Sequence, residues 1–185
     1  MGLTLRPYLE LRRTLWVCSL LSLVFVGLFI FGIRLRLATP DWPKAFQFGS
    51  LLMAAAMTSF ALAASVTAEL GARTAGETDV EPSIRWLAIA ISCWLVFLFL
   101  EIVEWVRLNY LINFGFGTPF GRAHLTVSGF QWIGVLGGIG WLTWAIAHVR
   151  TRNLLPAALF SHVLNLWWLA VVFVMYLTNA SLSGF

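Results

Sequence analysis

Residues 86–106 read W-L-A-I-A-I-S-C-W-L-V-F-L-F-L-E-I-V-E-W-V, and no charge appears in them before Glu101. A helix needs roughly 20 mainly apolar residues to cross the hydrocarbon core of a bilayer, and this stretch supplies them. The run is continuous rather than alternating, which favours a helix over a barrel strand of about ten residues. Working outward, comparable stretches occur at about 14–33, 45–68, 123–147 and 154–179. Five spans with no soluble stretch between them predict an all-α integral membrane protein, one transmembrane bundle over residues 1–185. The composition agrees: 60% hydrophobic and only 11% charged residues, with a mean hydropathy of +0.86, lie outside the range of ordinary globular domains.

Arg12 and Arg13 precede the first apolar run, as in a signal peptide. The run from Thr14 to Ile33 nevertheless exceeds the roughly 7–15 residue apolar core of such a leader, and it continues into Arg34 and Arg36 instead of a small-residue cleavage site. A retained helix is therefore expected. With five spans, Arg6, Arg12, Arg13, Arg73, Arg85, Arg150 and Arg152 share one side. Arg34, Arg36, Lys44, Arg107 and Arg122 share the other, and the bias predicts a cytoplasmic N-terminus. The net charge of +4 is accounted for by topology and lipid headgroups. No basic cluster or aromatic-rich polar surface points to nucleic acid. Cys18 and Cys93 fall inside apolar spans and read as small buried residues.

The most polar connection, Glu69 to Arg85, divides a two-helix unit from a three-helix unit. The connection from Arg107 to Arg122 mixes Tyr110, Leu111, Ile112, Phe114, Phe116 and Phe120 with glycines and a proline, and is expected at the membrane interface. Helices in lipid associate through close packing, which small residues four apart permit. Ala55, Ser59 and Ala63 form one such ridge, and Gly134 with Gly138 a G-x-x-x-G pair. Of the ten tryptophans, Trp94, Trp132, Trp141, Trp167 and Trp168 lie deep enough to be packing residues.

An ionisable group in hydrocarbon costs roughly 2.5–3.5 kcal/mol on the insertion scale, so each one requires a reason. Glu101 and Glu104 stand three residues apart on one face of the third span, and Arg107 follows Glu104 at the same spacing. They read either as a structural pair at the membrane boundary or as a proton-relay or partner-contact site. His124 opens the fourth span and His162 lies about a third of the way along the fifth from the other side. At 1.5 Å rise per residue this places them roughly 15–20 Å apart in depth, too far to clamp one haem iron. His148 is flanked by Arg150 and reads as interfacial. No Cys/His cluster has metal-ligand spacing, and no nucleotide-binding or hydrolase motif is present. No catalytic, cofactor-binding or metal-binding residue of the chain's own is expected.

From the third span onward the chain resembles subunit III of the haem-copper cytochrome c oxidases, a family of seven helices or, in a shorter form, five. The resemblance begins with Glu101, Glu104 and Trp105 at the end of a span. It continues through F-G-R-A-H-L-T-V-S-G-F at 120–130, similar to the family's Y-G-S-x-F-F-x-x-T-G-F. It closes with S-H-V-L-N-L-W-W-L at 161–169 and Tyr176, similar to W-H-F-V-D-x-V-W-L and a following tyrosine. About 80 residues carry it; the first two spans match in hydropathy and in F-V-G-L-F around Gly27. The departures are specific. The family's glutamate in the first shared helix falls near Leu21, its H-G-x-H is replaced by Gln131, Trp132, Ile133 and Gly134, and the acid after the Trp-His pair is Asn165, with Ser161 in place of the tryptophan.

The resemblance implies a non-catalytic accessory subunit of a respiratory haem-copper terminal oxidase or a related nitric oxide reductase, in a bacterial inner membrane. Haem and copper would reside in a subunit I-like catalytic partner, which this chain stabilises while holding phospholipid and touching other membrane subunits. Candidate lipid, partner or proton-path contacts are Glu101, Glu104, Trp105, Arg107, His124, Gln131, His162, Asn165 and Trp168. Two other functions stay open from the residues alone. One is a small transporter or channel lined by Glu101, Glu104, Gln131, His162 and Asn165. The other is a haem- or pigment-binding subunit using His124 or His162.

Overall fold

The computed structural model describes residues 6–38, 51–75, 79–111, 117–150 and 153–173. Among them are five α-helices long and apolar enough to cross a membrane, and no strand. They are α1 (Arg6–Ala38), α2 (Leu51–Thr74), α3 (Glu81–Val106), α4 (Pro119–Ala147) and α5 (Leu155–Val172). Prolines in the first turns of α3, α4 and α5 preset the helical φ where no intrahelical donor is needed. The Thr118 hydroxyl caps α4 by accepting from the Gly121 N–H at 3.0 Å, and the Asn153 side chain accepts from the Leu155 N–H at 3.0 Å at the start of α5. α3 continues into a wider π-type turn, Arg107–Leu111.

The helix bounds differ from the hydropathy pattern where polar residues satisfy themselves along a helix. α2 runs past residue 68 through Glu69 to Thr74. Glu69 pairs with Arg73 one turn on, and the Thr67 and Thr74 hydroxyls donate back to the Ala63 and Leu70 carbonyls at 2.7 and 2.9 Å. α3 likewise starts at Glu81, five residues before the apolar run, with Glu81 paired to Arg85. Residues 45–50 and 174–179 of the expected spans, Tyr176 included, lie outside the described residues, as do Ile112, Phe114 and Phe116.

Large apolar side chains lie on the outside of the bundle as well as inside it. Lipid is as apolar as leucine, so the close seams between helices are set by residues that allow near approach or form hydrogen bonds. Ala54, Ala61, Ala64 and Ala68 line the buried face of α2, while Leu52 is 83% exposed. The ridge at Ala55, Ser59 and Ala63 is not the one packed within the bundle: Ala55 and Ser59 are exposed and Ala63 half-buried, which leaves that face open to a partner helix. Both ridges have helical spacing, and only the positions of α3 and α5 select the first. Gly134 and Gly138 do act as a pair. A Cβ at either would meet a Leu164 methyl on α5, at 2.9 and 2.8 Å.

α5 is the most buried of the described spans and α1 the least. α5 is also the hub, because a hydrogen bond ties it to each of the other four helices. The Trp167 indole donates to the Ser22 hydroxyl of α1 at 3.1 Å, and the Trp168 indole to the Thr58 hydroxyl of α2 at 3.0 Å. The Trp94 indole of α3 donates to the Ser161 hydroxyl at 2.8 Å, and the Gln131 amide of α4 to the Leu164 carbonyl at 2.9 Å. Stacked rings reinforce two of these seams: Trp167 on Phe25 at 5.0 Å and Trp168 edge-on to Phe97 at 5.0 Å. The deep tryptophans thus serve as packing residues with a polar tip. Removing the acceptor with Ser161→Ala leaves the Trp94 N–H unpaired. Thermal unfolding in detergent should show a loss of about 1 kcal/mol, within the range of interhelical hydrogen bonds in lipid; an unchanged midpoint would mean the bond contributes nothing.

Candidate functional site: two polar clusters in the helix bundle

The first cluster lies where α3 ends and α4 begins. Glu104 is 1% exposed, and both its oxygens are held by the guanidinium of Arg107, with Nε–Oε2 and Nη2–Oε1 each 2.8 Å. The spacing of three along α3 makes this fork local, as the sequence anticipates, and a planar fork on a carboxylate is the strongest form of side-chain pairing. His124 of α4 is buried beside Phe120, with ring centroids 5.7 Å apart, and lies in the electrostatic reach of Glu104 and Arg107. Trp105 also meets α4: its indole donates to the Ser128 hydroxyl at 2.9 Å and its ring lies 6.1 Å from that of Trp132. A groove of about 380 Å³ opens beside it, lined by Trp105, Val106, Asn109, Tyr110 and Leu125. Glu101, one turn below Trp105, is 1% exposed, and neither of its oxygens has a hydrogen-bond partner among the described residues.

The second cluster lies at the opposite end, where α2 ends and α5 begins. The His162 ring nitrogen Nε2 is 3.1 Å from Glu69 Oε2, and the other oxygen of Glu69 is taken by Arg73. Below them Asn165 donates to the Ser65 hydroxyl at 3.4 Å, a long and weak bond. The Ser83 hydroxyl of α3 donates to the Gly71 carbonyl of α2 at 2.6 Å. Trp168 follows, facing inward on Thr58 and Phe97.

The expected residues therefore divide into separate groups. Glu104, Arg107 and His124 come together, with Trp105 beside them. Glu101 and Gln131 sit one turn deeper, and His162, Asn165 and Trp168 belong to the α2–α5 seam. Among the described residues no group of three His, Cys, Asp or Glu side chains is placed to hold a metal ion. His148 caps the end of α4, its ring stacked on Trp144 at 4.5 Å.

Sequence reasoning missed Glu69, Thr58, Ser65 and Ser22. Glu69 was assigned to a polar connection, although its spacing of four to Arg73 is a helical signal. Its second partner, His162, is 93 residues away in the chain, and no local pattern reports it. The three hydroxyl residues carry no signal of their own; each becomes an acceptor only because an α5 side chain arrives.

No family model matches the chain. It is similar to a probable cytochrome c oxidase subunit 3 of Mycobacterium leprae, 26% identical over 173 residues, which cover 87% of this chain and 83% of that protein. It is also similar to the cytochrome bo(3) ubiquinol oxidase subunit 3 of Pseudomonas aeruginosa, 28% identical over 134 residues, covering 66% of this chain and 63% of that protein. The likeness to oxidase third subunits thus extends over most of a five-span helical chain.

Proposed function

We propose that this chain is a non-catalytic, subunit III-like component of a membrane haem-copper terminal oxidase. The observation that carries the reading is the similarity to the Mycobacterium leprae subunit along 87% of the chain, together with five helices fit to span a membrane. In this reading the haem and copper centres belong to a subunit I-like partner. The chain sits in a bacterial inner membrane with its N-terminus in the cytoplasm, packs on that partner to stabilise it, and holds phospholipid.

The polar interior is in keeping with scaffolding. Two positions where the family carries titratable groups hold amides here, and both amides tie helices together: Gln131 to the Leu164 carbonyl and Asn165 to the Ser65 hydroxyl. The third, Leu21, packs against the apolar core. A side chain that spends its donors on a neighbouring helix holds that helix in place; it does not line a continuous polar path.

Affinity purification of the tagged chain from native membranes in mild detergent should bring down a haem-copper catalytic subunit, identified by mass spectrometry. The complex should show haem absorbance, and the chain stripped of its partners none. A monodisperse chain recovered free of any haem protein would sink the proposal.

A further inference from the structure

The unpartnered polar atoms of α3 and α4 gather at one depth. The Trp105–Ser128 hydrogen bond sets the register between the two antiparallel helices. Glu101 lies four residues below Trp105, about 6 Å along α3, and Gln131 lies three residues beyond Ser128, about 4.5 Å along α4 in the same direction. Glu101 contributes two buried acceptors without a partner, Gln131 contributes its Oε1, and Trp132 contributes its Nε1 donor. Gln131 is 0% exposed, and its amide nitrogen, engaged with the Leu164 carbonyl, fixes the side chain among α3, α4 and α5. Buried polar groups are almost always satisfied, and leaving one bare costs roughly 1–3 kcal/mol. None of these atoms has a partner among the described residues, and a small molecule that both donates and accepts would satisfy them.

We infer that Glu101, Gln131 and Trp132 form an internal water site, reached from the groove beside Trp105. Water supplies two donors and two acceptors, and a stable internal water needs about two to four polar partners, which this set provides. The groove lies beside the site: Trp105 lines it and at the same time meets the Trp132 ring. The nearby charged and titratable groups, Glu104, Arg107 and His124, are engaged in the cluster one turn above, so the site is a distinct place in the bundle.

Water-edited solid-state NMR of the full chain in liposomes tests this directly. Magnetisation from water should reach the Gln131 side-chain amide several-fold faster than the Trp94 indole N–H, which is equally buried but paired with Ser161. Glu101→Leu should remove that advantage. Val106→Trp, at an exposed position on the groove wall, should reduce it while leaving Glu101 in place, so the test survives if the Glu101 variant fails to fold. Equal, slow transfer to Gln131 and Trp94 in the unsubstituted chain would overturn the water site. Fast transfer unaffected by Val106→Trp would overturn the groove as its route.

Discussion

Arg107→Ala is expected to cost the chain about 3 kcal/mol of stability, because it removes the guanidinium fork from the buried Glu104 carboxylate. Glu104 is 1% exposed and gives both oxygens to Arg107, whose own side chain is 22% exposed. Removing Arg107 therefore takes from a buried carboxylate the guanidinium that holds both its oxygens. The converse substitution, Glu104→Gln, keeps the shape and leaves Arg107 free to turn toward the membrane surface, as long cationic side chains do, so it should cost less. Replacing both residues, as Glu104→Gln with Arg107→Ala, should recover much of the loss. Thermal or denaturant unfolding in nanodiscs across the four proteins isolates the coupling. An Arg107→Ala chain as stable as the parent would show that the pair contributes little.

The second large effect is expected at Gly71, where α2 passes closest to α3. A Cβ there would lie 2.8 Å from Leu87 Cγ and 3.2 Å from the Ser83 carbonyl oxygen. The leucine can shift, but the carbonyl belongs to the backbone of α3. Moving that backbone also strains the 2.6 Å bond from the Ser83 hydroxyl to the Gly71 carbonyl. Gly71→Ala should therefore cost about 1–3 kcal/mol and Gly71→Leu more. Gly137 supplies the control, since a Cβ there meets nothing within 4 Å. Gly137→Ala should be neutral or stabilising by up to about 1 kcal/mol from helix propensity alone. Unfolding midpoints of the two alanine variants should move in opposite directions. A loss at Gly137→Ala as large as that at Gly71→Ala would remove close packing at Gly71 as the cause, since helix propensity favours alanine at both positions.

Both predictions concern features that were unequally legible in the sequence. The Glu104–Arg107 fork was visible because its partners lie three apart on one helix, and the Gly134–Gly138 pair because its spacing is a packing signature. Gly71 falls in the most polar connection of the sequence, and its role depends on Leu87 and Ser83 arriving from the next helix. The same limit applies to Trp168 and Asn165. Their types and depth marked them as unusual, but whether they faced lipid, a partner or the interior depended on Thr58 and Ser65, which look unremarkable in the sequence.

The chain's order of residues was enough to pick out five segments apolar enough to cross a membrane, because the cost of placing polar groups in hydrocarbon acts residue by residue along a segment. It also determined the local pairs one helical turn apart. Only the tertiary structure decided which ridge of α2 is buried, that α5 is the helix to which all others are tied, and that Glu101, Gln131 and Trp132 share one depth with polar atoms unpaired. In lipid no hydrophobic gradient tells a helix which face to turn inward. The choice falls to close contacts and hydrogen bonds between residues distant in the chain, and these exist only once the helices have met.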